Sequence, residues 1–292
     1  MDISGKKIDE VCPVCNTSDH WSFQYHSEFN QFHLPIYRCE QCGLQTQFPK
    51  PNTNEMYDEN YYSGKSDYSY IDERKLEKYH NYVWDARIRN IQKFVPGGNF
   101  LDVGSSFGGF LSRARKFGFQ PYGVEVSEYS SNHSRSNGIE TFTGNYLDNP
   151  FPTHFFDVIT LIEVIEHMEN PREVFRKFSD QMKSGGMLLL QTANFEGKQA
   201  LEEGKKYHYY LPGHIYYYSL SNLKKILKEF GFSRTKDYLG VDFPLSAKLL
   251  KSRGNFRTLW DYRRWLTIIS YHMKSKILPG STSSMVVYAF KD

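Results

Sequence analysis

The chain has 292 residues, 39% of them hydrophobic and 24% charged, a balance that excludes a disordered or fibrous protein and supplies one large core with a small appendage. No stretch approaches the ~20 consecutive apolar residues that span a bilayer, and the segment MDISGKKIDE carries no secretory apolar region, so a cytoplasmic location is expected. A formal charge of +3, from 36 Lys and Arg against 33 Asp and Glu, does not advertise a polyanion partner over the whole surface, and aromatics at 16% exceed ordinary usage.

All four cysteines lie in the first 42 residues, as Cys12-Pro-Val-Cys15 and Cys39-Glu-Gln-Cys42. Each CxxC turn points two thiolates at one point, and two such turns complete a tetrahedron around a soft divalent ion, so a structural zinc is expected. Two disulfides suit a secreted chain better, and iron is the minority alternative. Asn16 and Gly43, one residue after each pair, tolerate the positive φ of such knuckles. Trp21, Phe23, Tyr25, Ile36 and Tyr37 alternate as in a small sheet, while His20, His26 and His33 read as surface residues. Residues 1–50 are thus a zinc-ribbon module, and 51–95 are a Tyr-rich stretch (Tyr57, Tyr61, Tyr62, Tyr68, Tyr70) followed by a helix over 72–94 that stops before Pro96-Gly97-Gly98.

From 96 to 292 strands and helices alternate: strand 99–103, helix 109–117, strand 121–126, helix 129–137, strand 157–162, helix 171–182, strand 187–191, helix 221–230 and a last strand 284–290. Such alternation means right-handed crossovers and a mostly parallel sheet, an α/β protein. Leu101-Asp102-Val103-Gly104-Ser105-Ser106-Phe107-Gly108-Gly109 joins the first strand of this series to its helix, where small residues admit a ligand to the backbone. Seventeen residues past Gly108, Glu125 ends the next strand, placed to accept both hydroxyls of a ribose. The loop lacks the middle Gly of the dinucleotide fingerprint, which disfavours a dehydrogenase. Asp102 would repel a pyrophosphate but suit a cationic sulfonium with an amino-acid tail.

On the glycine loop, Glu125, the segment Gly144-Asn145-Tyr146 and the run Phe156-Asp157-Val158-Ile159-Thr160-Leu161-Ile162-Glu163-Val164-Ile165-Glu166-His167, residues 70–240 resemble class I S-adenosylmethionine-dependent methyltransferases, including families with an N-terminal zinc ribbon that methylate sugars. The resemblance implies a Rossmann-like, mostly parallel seven-stranded sheet with an antiparallel last strand. It also implies a cofactor site in which Asp102, Gly104, Ser105, Ser106 and Gly108 surround the methionine end, Glu125 and Val126 the ribose, Asn145 and Tyr146 the adenine, with Glu163 touching the cofactor. Ser106 departs from the family's usual Gly, and Asn145 from its usual Asp.

Glu163, Glu166 and His167 follow the carboxyl end of strand 157–162, where open α/β sheets place their chemistry. With His214 or His208 they form a candidate divalent-metal site, similar to that of ubiquinone-biosynthesis O-methyltransferases and of small-RNA 3′-end 2′-O-methyltransferases. The reading preferred from the residues alone has no ion: Glu163 touches the cofactor, Glu166 caps or pairs locally and His167 packs by the loop. His214 and His167 are the candidate catalytic residues, because transfer to an alcohol needs a base near the hydroxyl. The six tyrosines of 207–218 are expected to wall a sugar or phenolic ring.

Between 244 and 279 a helical insertion carries eight Lys or Arg and one acid, interleaved with Leu, Ile and Trp. It suits a lid over the active site, an anionic substrate, or peripheral contact of 245–278 with the inner face of a membrane. The expected activity is methylation of a small molecule, a hydroxyl of a sugar or nucleotide-sugar in surface-polysaccharide or secondary-metabolite synthesis. C-methylation of a nucleotide-linked keto-sugar and O-methylation of a quinone precursor are the alternatives within enzymes. A zinc-ribbon nucleic-acid-binding module is the alternative outside them; residues 11–50 contain only Arg38 and Lys50, so no sequence-specific nucleic-acid contact is expected.

Overall fold

The computed structural model describes residues 8–29, 31–52, 56, 61 and 72–292. Of the tyrosines in the 57–70 stretch, Tyr57, Tyr62, Tyr68 and Tyr70 lie outside the described residues and Tyr61 lies within them.

In chain order the elements are β1 (Trp21–His26), β2 (Pro35–Cys39), β3 (Gln45–Gln47), α1 (Glu77–Gln92), β4 (Gly98–Val103), α2 (Gly109–Lys116), β5 (Phe119–Glu125), α3 (Glu128–Ser136), β6 (Glu140–Thr143) and β7 (Phe156–Ile162). They continue with α4 (Pro171–Gln181), β8 (Met182–Ala193), α5 (Lys198–Glu203), β9 (Tyr216–Tyr217), α6 (Leu220–Glu229), β10 (Arg234–Leu239), α7 (Leu245–Ser252), α8 (Arg263–Ile277) and β11 (Ser284–Phe290).

The large sheet has the order β10-β11-β8-β7-β4-β5-β6, all parallel except β11, which runs antiparallel to both its neighbours. This is the mostly parallel sheet that the alternation implied and the Rossmann-like architecture that the resemblance implied. Its central strands are apolar on both faces, as a sheet sandwiched between helices requires: Phe100, Leu101, Val158, Ile159, Leu161 and Met187 to Leu190 are fully buried. Strand order reverses at β4, whose neighbours are β5 and β7, so the crevice past the carboxyl ends of these three strands is where a ligand belongs.

The ribbon forms a second sheet, β1-β2-β3-β9, antiparallel throughout. Its fourth strand comes from far along the chain: Gln45 lies opposite Tyr217 and Thr46 opposite Tyr216. Cys12, Val14, Cys39 and Leu44 share one core with Leu101, Leu161, Leu190 and Tyr218, so the ribbon packs continuously onto the large sheet. The Asn222 side chain, at the start of α6, donates to the Cys42 carbonyl at 2.7 Å.

Several expected boundaries moved. The helix over 72–94 opens as a 3-10 turn at Glu73–Leu76, capped by Asp72, before α1 begins. The strand at 187–191 extends over Met182–Ala193. Strands β6 and β10 were not foreseen because edge strands need no continuous apolar run: Arg-Thr-Lys-Asp-Tyr-Leu reads as polar.

Candidate active site

The loop after β4 is held by its own backbone. Gly104 and Ser105 donate N–H bonds to the Val124 carbonyl at 2.8 and 3.2 Å, which ties the loop to the end of β5. Gly104 has φ +74°, and a Cβ there would stand 2.6 Å from Val164 Cγ2, so only glycine fits. Gly108 caps α2 in the left-handed region, where a Cβ would lie 2.6 Å from Ser134 Oγ. Ser106 also has positive φ, +50°, the conformation for which the family's usual Gly is suited. The Glu125 carboxylate accepts from Ser106 N at 2.8 Å and from Ser127 N at 3.0 Å, so this acid fixes the loop. A carboxylate oxygen can accept more than one such bond. Tyr61 stands close enough to Glu125 that, besides burial, the carboxylate raises the Tyr61 pKa.

Asp102 is buried at the carboxyl end of β4 and accepts from Thr160 Oγ1 at 2.6 Å. Burial pushes its pKa up to about 8, with Glu73 and Glu125 adding to the rise and the Thr160 bond and Arg87 opposing it. The hydroxyls of Ser105 and Ser106 are buried with no hydrogen-bond partner among the described residues. Orphaned hydroxyls at Ser105 and Ser106, glycines at 104 and 108 and two acids make a cradle that fits the amino-acid tail and ribose of S-adenosylmethionine. Val126 follows Glu125 with 48% of its surface exposed, an apolar side chain at the rim of the crevice.

One of the two adenine assignments needs correction. Tyr146 is buried against Phe178, ring centroids 4.8 Å apart, and its hydroxyl donates to Gln181 Oε1 at 2.8 Å, so its side chain belongs to the core. Asn145 is exposed; its Oδ1 accepts from Leu147 N at 2.9 Å to cap the following 3-10 turn, and an amide oxygen has a second lone pair with which to accept from a ligand.

Beyond β7 the backbone turns sharply: Glu163 has φ +56°, and its N–H and carboxylate Oε1 both engage Gln191, at 2.9 and 2.7 Å. A non-glycine residue held in this region at a sheet's carboxyl edge marks a site where geometry is over-determined. Glu166 follows in a 3-10 turn, and its two carboxylate oxygens are buried without a hydrogen bond of good geometry among the described residues, Thr192 and Glu163 standing alongside. Burial, and then the Glu163 charge, raise its pKa well above the carboxylate range.

His167 Nδ1 lies 2.8 Å from the Gly213 carbonyl and His214 Nδ1 lies 3.0 Å from the Tyr209 carbonyl. A carbonyl only accepts, so each ring carries its proton on Nδ1 and has Nε2 as its acceptor nitrogen. Burial holds His167 down to about 4 and His214 well below the ordinary range, so both are neutral at pH 7. Their rings meet edge to face at 4.7 Å, and one donor atom from each of Glu166, His167 and His214 fits within 4.8 Å. Neutral imidazoles oriented through Nδ1–H to a carbonyl, with an unsatisfied carboxylate beside them, are what a divalent cation requires.

Two parts of the expected site lie elsewhere. Glu163 stands beside this trio without sharing its focus, and His208 pairs with Glu203 at 3.1 Å on the surface. The tyrosines of 207–218 do not wall a substrate: Tyr207, Tyr210 and Tyr217 pack with Phe195 in a core between ribbon and sheet, and Tyr210 OH donates to Gln45 Oε1 at 2.6 Å. Once β9 pairs with β3, these rings have the ribbon to cover.

The sequence reading missed a buried network behind the site. Arg87 on α1 pairs with Asp242 through bonds of 2.7 to 3.1 Å, and Tyr288 OH donates to the same carboxylate at 2.6 Å. Arg87 also donates to Gln191 Oε1, whose amide holds Glu163. A lone Arg among Val83, Ala86 and Ile88 on the inner face of a helix was the available signal.

In the ribbon the four Sγ atoms fit within 4.8 Å of one another, with Cys12 to Cys42 and Cys15 to Cys39 at 3.5 Å. Asn16 and Gly43 have φ +59° and +74°, and their N–H groups close the two knuckles onto the Cys12 and Cys39 carbonyls. Four thiols at tetrahedral spacing fit a structural zinc, with no position left open.

Fold, cradle and acid positions together define a class I methyltransferase, and comparison with known proteins agrees. The model of the methyltransferase-domain family matches residues 74–236, more than half of the chain, which therefore belongs to that family. Ubiquinone biosynthesis O-methyltransferase of Shewanella halifaxensis is 34% identical over 112 residues, covering 34% of this chain and 47% of that protein. Its counterpart in Pseudomonas putida is 32% identical over 116 residues, 37% and 49% of the two chains, so the matches span about half the length of these relatives. Among solved structures, phosphoethanolamine N-methyltransferase 2 of Haemonchus contortus in complex with S-adenosyl-L-methionine superposes with TM-score 0.58 at 15% identity, covering 93% of this chain and 69% of that one. A possible histamine N-methyltransferase of Thermotoga maritima gives 0.51 at 16%, covering 75% and 94%. At these identities the structures show a shared fold.

Proposed function

We propose that this chain transfers the methyl group of S-adenosylmethionine to a hydroxyl of an anionic small molecule, a sugar carried on phosphate being the acceptor class. The observation that carries hydroxyl chemistry is the convergence of Glu166, His167 and His214 beside the cofactor crevice. In this reading Glu125 and Val126 hold the nucleoside, and Asp102 with the loop 104–108 holds the methionine end. The acceptor hydroxyl gives up its proton to bulk water, its oxygen attacks the methyl carbon in line as the carbon–sulfur bond breaks, and the sulfonium leaves as a neutral thioether. Glu166, His167 and His214 would hold a divalent cation, which when bound lowers the pKa of a coordinated hydroxyl. Neutral imidazoles with depressed pKa are weak bases and good ligands, which favours ligation over direct proton abstraction. Cys12, Cys15, Cys39 and Cys42 would hold zinc in a purely structural role.

Anionic character of the acceptor is supported by Lys248 and Lys251, one turn apart on α7. Both are half-buried and neither forms an ion pair with a described residue. Burial, and the neighbouring Lys248 and Arg87, pull Lys251 down to about 8, an environment that an incoming phosphate would relieve. The second reading, O-methylation of a quinone precursor, is favoured by the names of the curated relatives.

Manganese titration followed by electron paramagnetic resonance, on wild type and on His214→Ala, tests the metal arm. One site lost in the variant supports it, and no site in wild type ends it. Methyl transfer to a nucleotide-sugar panel against catechols separates the acceptor classes, with Lys251→Gln expected to raise KM about tenfold on the former only.

A further inference from the structure

The helical insertion has an outer face that the methyl-transfer site does not use. His272 and Ser275 of α8 are buried, and Gly240 fits so closely to Ser275 that a Cβ there would lie 2.8 Å away, which fixes which side of α8 faces the protein. On the other side Leu266, Ser270, Met273 and Ile277 recur at spacings of four, three and four, one stripe along the helix. Leu266 is 70% exposed and Ile277 68%. The preceding turn adds Leu259 at 86% and Trp260 at 70%, and Leu278 follows at 54%. Large apolar side chains usually appear singly on a soluble surface, and here several are exposed within one segment of about twenty residues.

The exposed charged residues of 257–278 are all basic: Arg257, Arg263, Arg264, Lys274 and Lys276. Asp261, the one acid between 244 and 279, is spent on its own turn, accepting from the Arg257 and Thr258 N–H groups at 2.7 and 2.8 Å. The Arg263 guanidinium lies over the Trp260 ring at 4.4 Å, holding charge and indole side by side. Residues 257–278 carry five bases and one acid, a net +4, whereas the whole chain is +3, which leaves the remaining residues at −1. The charge is therefore concentrated on this segment. The Trp- and Leu-bearing stripe with a basic rim has the composition of a helix that lies in the plane of a lipid interface. No helix among the described residues is long and apolar enough to cross a membrane.

We propose that residues 257–278 dock flat on an anionic membrane surface, apolar stripe inserted and basic rim on lipid phosphates. The inference is independent of which acceptor is methylated. The test is flotation of the full chain with phosphatidylcholine vesicles, with and without phosphatidylglycerol, for wild type, Trp260→Ser/Leu266→Ser/Ile277→Ser and Arg263→Glu/Arg264→Glu. Binding of S-adenosylhomocysteine by each variant reports its fold. Wild type should float with the anionic vesicles only, salt should weaken the binding, and each variant should lose at least about tenfold. Absence of flotation, equal binding to neutral vesicles, or full binding by both variants would overturn the proposal. So would sedimentation analysis showing that the same stripe joins two copies of the chain in the presence of vesicles.

Discussion

The backbone N–H of Ile215 donates to the Glu166 carbonyl at 2.8 Å. Ile215 is the residue after His214, and its own carbonyl accepts from Thr46 Oγ1 at 2.8 Å and Gln47 N at 3.3 Å. One residue therefore links the ribbon sheet to the Glu166 turn and fixes where His214 stands.

If the ribbon braces the site, metal loss there should be felt at His214. Cys39→Ser/Cys42→Ser is expected to lower the metal content, to cost several kcal/mol of stability and to raise amide exchange at Ile215 and Tyr217 while β4 and β7 stay protected. Mass-resolved hydrogen exchange reads this. Unchanged exchange at 215–217 in the metal-free variant would contradict it.

Asp102 predicts a proton linkage. Its pKa is raised, to about 8 with burial as the main cause, so the carboxyl is neutral below that pH and charged above it. A cationic cofactor favours the charged form, so binding releases a proton below pH 8. Affinity for S-adenosylmethionine should rise by up to about tenfold per pH unit between pH 6 and 8 and level off above. Calorimetry in buffers of different ionisation enthalpy counts the proton, and Asp102→Asn should flatten the slope.

His167 and His214 should behave alike because each brings one ring nitrogen to the same cluster with Glu166. Replacing either by Ala is expected to weaken manganese binding more than tenfold and to slow methyl transfer about 100-fold, with S-adenosylhomocysteine affinity unchanged. A variant that keeps the ion but loses the rate would make that histidine a base rather than a ligand.

Asp242 sits 4% exposed between Arg87 and Tyr288. Asp242→Ala leaves a buried guanidinium without its partner, which should cost about 3–5 kcal/mol in urea unfolding and loosen Gln191 and Glu163 behind the site. A loss under about 1 kcal/mol would show that Arg87 is satisfied in another way.

Much of this was legible from sequence, for identifiable reasons. The central strands were visible because parallel strands buried on both faces are apolar throughout, and Gly104, Gly108 and Glu125 were visible because their chemistry depends on residue type at fixed spacing. What stayed hidden depends on distant pairing. Nothing local says that Tyr216 and Tyr217 extend the ribbon sheet, so the tyrosine cluster read as a substrate wall instead of a core. Tyr146 was placed at the adenine because the backbone position matched, while its ring turns to Phe178. Arg87 and Asp242 are 155 residues apart, and only the packing of α1 beneath the 240–243 loop joins them.

The most direct test of the central claim is calorimetric titration of S-adenosylmethionine into wild type and Glu125→Ala, with circular dichroism confirming that both are folded. One site per chain is predicted for wild type, with affinity at least about 100-fold weaker in the variant, which loses both ribose hydrogen bonds and the Ser106 anchor. No saturable binding by wild type, or equal affinity in the two proteins, would contradict the assignment of this crevice to the cofactor.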